Sequence, residues 1–263
     1  YTYEAGVRKV KEKLYELYRD LNLNYLLNSS HLPIIIDKTF IEKTFENYPK
    51  FTIDKVHNEP KIGIINGLFA TSAGIGGITV IEAFKFCSNN HLELKLTGMQ
   101  GDVMKESMNV ALTLVQRLVP ENILKKLLTP GKEKFGIHIH CPAGATKKDG
   151  PSAGTAITIC ILSLLCGIPI NNTIGITGEI RLSGDVLPIG GLDSKVQGAK
   201  MSGLKKVLCP EKNDNDLMKI RKGKNNNEDD TFSVLKIANI YDALEETLIM
   251  PKKTNVKSFF KSI

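Results

Sequence analysis

The chain has 263 residues, 42% hydrophobic and 24% charged, and 35 Lys+Arg against 28 Asp+Glu give a formal net charge of +7. These proportions exclude a collagen-like or wholly disordered chain and fit a soluble globular one, with room for one large domain or a domain with a short appendage. The basic balance permits a polyanionic partner, but the cations are dispersed: the run 9–13 is broken by Val10 and Glu12 and reads as a solvated helix face.

In chain order, Val7, Val10, Leu14, Leu17 and Leu21 recur at helical spacing, which predicts an amphipathic helix over 5–21. Residues 22–60 lose that period and carry Asn, Ser and Pro; they read as a linker or docking segment with one short helix near 40–47. Two strands about a Gly-rich turn follow over 62–84, then a strand at 92–96, a helix at 107–118 and a strand at 136–141. The uncharged run 153–170 raises a membrane question, but its Ser, Thr and Pro residues favour a buried helix over 155–166. A strand or hairpin at 173–182, a helix at 195–202 ending on Gly203, and a short strand at 207–210 come next. The run 222–230 is a low-complexity loop, and a last strand and helix occupy 232–237 and 240–248. Strands and helices mix without regular alternation, so the fold class is α+β, with a main domain over 61–250 and a C-terminal tail over 251–263.

Five cysteines at 87, 141, 160, 166 and 209 contain no C-x-x-C, and their odd count and irregular spacing favour a reducing compartment over a disulfide framework. The chain starts at Tyr1 and shows no leader pattern, so it reads as a segment of a longer polypeptide.

The densest chemical signal is Lys148-Asp149-Gly150-Pro151-Ser152-Ala153-Gly154, between a strand and an apolar helix. Pro at a first helical turn loses no hydrogen bond, and Ser152 then sits near free N–H groups at the positive end of a helix dipole, where an oxyanion would be stabilised. Simple helix capping by Ser152 is the plainer alternative. Forty-three residues on, Gly190-Gly191-Leu192-Asp193-Ser194-Lys195 turns into a helix start bearing Lys195. A lysine serves as a base only when neutral, and burial among Leu187, Ile189 and Leu192 would lower its pKa. His138 and His140 share one strand face, with no Asp placed to orient them as partners of Ser152. With Cys141 they lack a second ligand pair for a metal, so no metal site is expected. Asp149 either caps the turn or pairs with Lys195 as an inactive latch.

These runs together resemble the proteolytic domain of the Lon family of ATP-dependent proteases. Thr177-Gly178-Glu179-Ile180, the run 96–107 (L-T-G-M-Q-G-D-V-M-K-E-S) and His138-Ile139-His140 followed by Pro142, Gly144, Ala145 and Thr146 are similar to further family motifs. The resemblance implies Ser152 as nucleophile, Lys195 as its partner and Thr177 as a hydroxyl that holds the lysine. It also implies a fold shared with a ribosomal-protein domain and a hexameric ring. Residues 1–8 resemble the end of the family's ATPase module, which makes 1–21 its tail helix and Arg8 a nucleotide-sensing arginine in the full-length protein only. No G-x-x-x-x-G-K-[ST] occurs in the chain, so no cofactor is expected in this fragment, with ATP and Mg acting in the full-length protein. Expected partners are unfolded or damaged proteins, with DNA possible but not indicated and no membrane. The mitochondrial matrix is the expected compartment, or the cytoplasm for a bacterial protein. Departures from the family pattern are Ala143 in place of Glu and an insertion at Gly74-Ile75. A catalytically silent interaction domain, binding nucleic acid through the +7 charge, is the alternative from another class.

Overall fold

The computed structural model describes residues 1–2, 6–28, 33–50, 55–71, 74–98, 101–129, 133–142, 150–222, 228–251 and 254–261. Two compact units emerge, Tyr1–Ile53 with Ser72–Ile75, and Asp54–Thr71 with Gly76–Ile263.

In the first unit, α1 (Arg8–Asn28) runs seven residues past the expected end at Leu21, because no Gly or Pro interrupts the chain there. Asp37 caps α2 (Lys38–Thr44), its carboxylate accepting the Phe40 N–H at 2.7 Å. Leu17 and Phe45 are buried, with Tyr1 and Tyr48 rings against Phe45 and the Lys13 ammonium 3.2 Å from the Tyr48 ring centroid. Of the rest of the predicted stripe, Val7, Val10 and Leu14 are exposed and Leu21 is half-buried.

The second unit contains β1 (Ile64–Ala70), β2 (Gly76–Cys87), β3 (Leu94–Thr97), α3 (Asp102–Leu118), α4 (Glu121–Leu127), β4 (Phe135–His140), a 3₁₀ turn (Pro151–Ala153), α5 (Gly154–Cys166), β5 (Ile174–Ile176), β6 (Glu179–Ile180), β7 (Val186–Leu187), α6 (Leu192–Met201), β8 (Lys206–Pro210), α7 (Asp214–Lys222), β9 (Ser233–Ile237), α8 (Ile240–Thr247) and α9 (Val256–Phe259). Seven strands form one sheet in the order β3-β4-β2-β1-β5-β8-β9, and β6 pairs with β7 alone. The β4-β2-β1 centre is antiparallel, whereas β3-β4, β1-β5, β5-β8 and β8-β9 are parallel.

Each strand face feeds its own core. Ile65, Ile81, Ile137, Ile139, Ile176 and Leu208 pack with α3, α5 and α8, while Leu68, Ile78, Val207 and Val234 pack with α6 and α7. Period-2 alternation in the strands produces this division. The expected α+β class therefore needs correcting in part. Helices lie on both faces, and β5-α6-β8-α7-β9 alternates strand and helix with parallel pairing. Strands of three to five residues hid that alternation. The polar α7 was also missed, since only Leu217 and Ile220 of it are buried; its Asp214 and Asp216 at the start and Lys219, Arg221 and Lys222 at the end suit the helix dipole.

Two segment assignments change as well. The supposed linker 22–60 holds the end of α1, all of α2, and Val56, which packs on the α6 core. The supposed tail carries α9, whose Val256 and following Phe260 are buried in the α5 core. The predicted loop 222–230 lies mostly outside the described residues.

α5 is apolar on every side and enclosed by the core. Its polar residues are satisfied: Thr158 donates to the Gly154 carbonyl, and Ser163 bonds the Ile168 carbonyl and the Gly63 N–H. With 13 residues it spans about 20 Å, short of a bilayer core of about 30 Å. No described helix is long and apolar enough to cross a membrane.

Candidate active site

Ser152 lies in the 3₁₀ turn that leads into α5, half-buried, with Pro151 opening the turn. The segment 177–180 crosses this turn and the start of α5 and is hydrogen-bonded to both. Gly178 N–H donates to the Ser152 carbonyl at 2.8 Å, and its own carbonyl accepts the Thr155 N–H at 3.0 Å and the Thr155 hydroxyl at 2.9 Å. The crossing is too close for side chains. A Cβ on Gly178 would lie 2.8 Å from Thr155 Oγ1, and one on Gly154 would lie 2.9 Å from Ile180 Cγ2.

This crossing narrows the supply of N–H groups that the sequence suggested. Thr155 N–H is committed to Gly178. The 3₁₀ turn Pro151–Ala153 spends its own i+3 bond in the same way, the Gly154 N–H on the Pro151 carbonyl. Gly178 entered the sequence reading only as part of the Thr177-Gly178-Glu179-Ile180 motif and Thr155 only as the start of a helix, since their contribution is a backbone clamp that no spacing announces.

Lys195 is the fourth residue of α6. Gly191 caps this helix at φ +69°, a conformation glycine adopts without strain, and its carbonyl accepts the Lys195 N–H at 3.0 Å. Lys195 is only 4% exposed, and this burial lowers its amine to about 8. Of the apolar neighbours proposed to desolvate it, Leu192 is fully buried, and Leu187 and Ile189 are half-buried. Lys195 Nζ donates to Thr177 Oγ1 at 3.1 Å, and the Thr177 hydroxyl faces the Ser152 carbonyl at 3.4 Å. Thr177 is fully buried between them. The structure thus brings Ser152, Thr177 and Lys195 together. The link it draws runs through Thr177; among the described residues no hydrogen bond joins Nζ directly to Ser152 Oγ. Free catalytic sites often hold such pairs loosely before substrate binds.

The other candidates fall elsewhere. Thr97 Oγ1 lies 2.9 Å from His138 Nε2 and 2.7 Å from His140 Nδ1, so both rings are engaged at the β3-β4 seam. Burial, then Lys95 and His140, push His138 below its usual value. Among the described residues no three His, Cys, Asp or Glu converge to hold a metal. Arg8 is exposed at the start of α1 and pairs with Glu12 at 3.2 Å. Asp149 and Ala143 lie outside the described residues.

Comparison with known proteins gives the family. A model of the Lon protease (S16) C-terminal proteolytic domain matches residues 35–250, which makes the chain a peptidase domain by class. The chain belongs to the Lon protease family, as its motifs implied. It is 39% identical over 249 residues to a Lon protease of Rickettsia typhi, 38% over 257 to one of Campylobacter jejuni and 37% over 258 to one of Methanosphaera stadtmanae. These alignments cover 95–97% of the chain but only 30–31% of each relative, so the chain spans about a third of their length. The matched region begins at 35, well before the expected boundary at 61.

Proposed function

We propose that this chain is the proteolytic part of an ATP-dependent serine endopeptidase that works through a Ser152–Lys195 dyad. The observation that carries the reading is a lysine buried to 4% exposure whose amine bonds the same threonine that faces the Ser152 carbonyl. Neutral Lys195 takes the proton from Ser152 Oγ as that oxygen attacks a peptide carbonyl. Backbone N–H groups near Ser152 receive the charge on the carbonyl oxygen. Protonated Lys195 then passes its proton to the leaving amine, and water resolves the acyl-enzyme. Thr177 holds the amine throughout. The adjacent Asp149 is kept as a latch on Lys195 or a turn cap.

The lowered amine sets the pH dependence. With a pKa of about 8, roughly a tenth of Lys195 is neutral at pH 7, against less than one in a thousand for an ordinary lysine. kcat/KM is expected to rise about tenfold per pH unit below 8 and to level above it; a flat profile between pH 6 and 8 would refute lysine as the base. Thr177→Val removes the acceptor of a buried, charge-capable donor. Such bonds contribute about 1.5–3 kcal/mol, so kcat/KM is expected to fall about 10- to 150-fold. Steady-state assays on a fluorogenic peptide, with circular dichroism to check folding, measure it.

The assignment itself is tested by a serine-reactive fluorophosphonate followed by peptide mass spectrometry. Ser152 is expected to carry the label and to lose it in Lys195→Ala. Ser152→Ala is expected to abolish hydrolysis without unfolding the chain, and full activity in that variant would sink the dyad.

The family and the partial span of its relatives support three wider statements of the same reading. ATPase modules upstream, with ATP and Mg, unfold and feed damaged proteins; α1 with its partly exposed apolar stripe and Arg8 belongs to them. The given residues contain no phosphate-binding G-x-x-x-x-G-K-[ST] loop, so that loop is assigned to the upstream modules. The full polypeptide closes into a hexameric ring on a ribosomal-protein-like fold. The bacterial and archaeal relatives favour a cytoplasmic setting over the mitochondrial matrix expected from the sequence. The silent nucleic-acid-binding alternative rests on net charge alone.

A further inference from the structure

We infer that Gly76 and Gly198 are positioning residues for Lys195, because their backbone-to-backbone contact seats the first turns of α6 on the start of β2. The inference rests on the dyad reading for its functional meaning and on the geometry alone for its structural content.

Three observations carry it. A Cβ on Gly76 would overlap the Ser194 carbonyl and lie 2.9 Å from the Lys195 backbone nitrogen. A Cβ on Gly198 would overlap the carbonyl of Gly76 and the amide of Gly77. Both obstacles are backbone, which cannot rotate aside as a side chain can. So β2 touches α6 at the residue bearing the amine and again one turn later. The two contacts lie three to four residues apart on the helix and therefore on one face. Together they fix both the height and the rotation of α6. The third observation is the far end of the lysine. Its Nζ reaches Thr177 Oγ1 at 3.1 Å, on a segment independent of β2 and α6. A long side chain meets a fixed acceptor only if its own backbone is held at a matching distance. Lifting α6 by the width of one methyl group would break that bond and admit water beside the amine. Val196 and Ala199 on the same helix are buried without exposure, which supports tight seating along its length. Neither glycine sits in a turn that demands a positive φ, so steric closeness is what requires them.

The test compares Gly198→Ala with the parent chain, using lysine labelled at Cε and the NMR titration of its methylene signal; the Lys195 signal is identified by its loss in Lys195→Met. The midpoint in Gly198→Ala is expected to move upward by at least half a unit toward that of an exposed lysine. The acid limb of kcat/KM should move with it, and activity at pH 7 should fall at least tenfold. Val256→Ala, in the other core, serves as the control for lost stability: it should lower Tm and leave the midpoint unchanged. If Gly198→Ala does not fold, Gly191→Ala disturbs the opposite, N-terminal end of α6, at a φ of +69° and against a single side-chain atom, Ala70 Cβ at 2.8 Å, and should shift the midpoint in the same direction. A folded glycine variant with an unmoved midpoint and unchanged kcat/KM overturns the inference. A moved midpoint in a chain that never labels at Ser152 keeps the seating and rejects the peptidase reading, so the two fail separately.

Discussion

Lys195→Met is expected to abolish peptide hydrolysis and, at pH 7, to make the chain more stable by up to about 3 kcal/mol. The sign follows from proton linkage. The folded amine titrates near 8, below an ordinary value of 10.5, because burial disfavours its charge. Between these values the unfolded chain binds more protons than the folded one, so the stability of the parent rises with pH through that window. Below pH 8 the full penalty stands, and a shift of this size is worth about 3 kcal/mol. Methionine matches the length of the lysine stem and has no charge to desolvate, so it removes the penalty and keeps the packing. The gain should shrink as pH rises from 8 to 10.5. Urea unfolding at pH 7, 8, 9 and 10 measures it. A variant less stable than the parent at pH 7, or a difference that does not change with pH, would contradict a buried amine with a lowered pKa. The expected gain would show that the folded chain keeps a buried amine at a cost to its own stability.

The second large effect lies far from the dyad. Removing residues 252–263 is expected to lower Tm by about 6–20 °C, since Phe→Ala changes in cores alone cost about 3–5 kcal/mol and each kcal/mol shifts Tm by about 2–4 °C at this size. Val256 and Phe260 are buried in the α5 core at 6% and 3% exposure. Their segment is also tied by the Lys261 N–H to the Leu118 carbonyl at 3.0 Å and by the Tyr241 hydroxyl to the Lys261 carbonyl at 2.6 Å. Phe260→Ala should reproduce most of the loss, whereas Lys257→Ala, at an exposed position, should stay within about 0.5 kcal/mol of the parent. Calorimetry on the three variants measures it, and an unchanged Tm in the truncated chain would return residues 251–263 to the status of a tail.

What was legible in the residues was whatever local order fixes. Apolar runs and period-2 alternation located the main strands and α5, because burial on one face or on all faces leaves a pattern a few residues long. Gly203 marked the end of α6 because its φ of +93° suits glycine. The family followed from long ordered motifs around Ser152 and Lys195. The missing elements were those whose patterns are too short or too polar: α4 with no buried residue, α7 with two buried positions, and α9 with four residues, whereas β5 and β6 fell within the strand or hairpin expected at 173–182.

The amino-acid sequence by itself thus determined the family, the two candidate residues of the dyad and the apolar helix that presents one of them. Only the tertiary structure decided that Lys195 is desolvated and meets Ser152 through Thr177, that Thr155 and Gly178 clamp the turn, and that Gly76 lies against the lysine's own backbone. The physical reason is separation along the chain. Desolvation and backbone-to-backbone contact arise between residues tens of positions apart, and they leave no periodicity in any one segment.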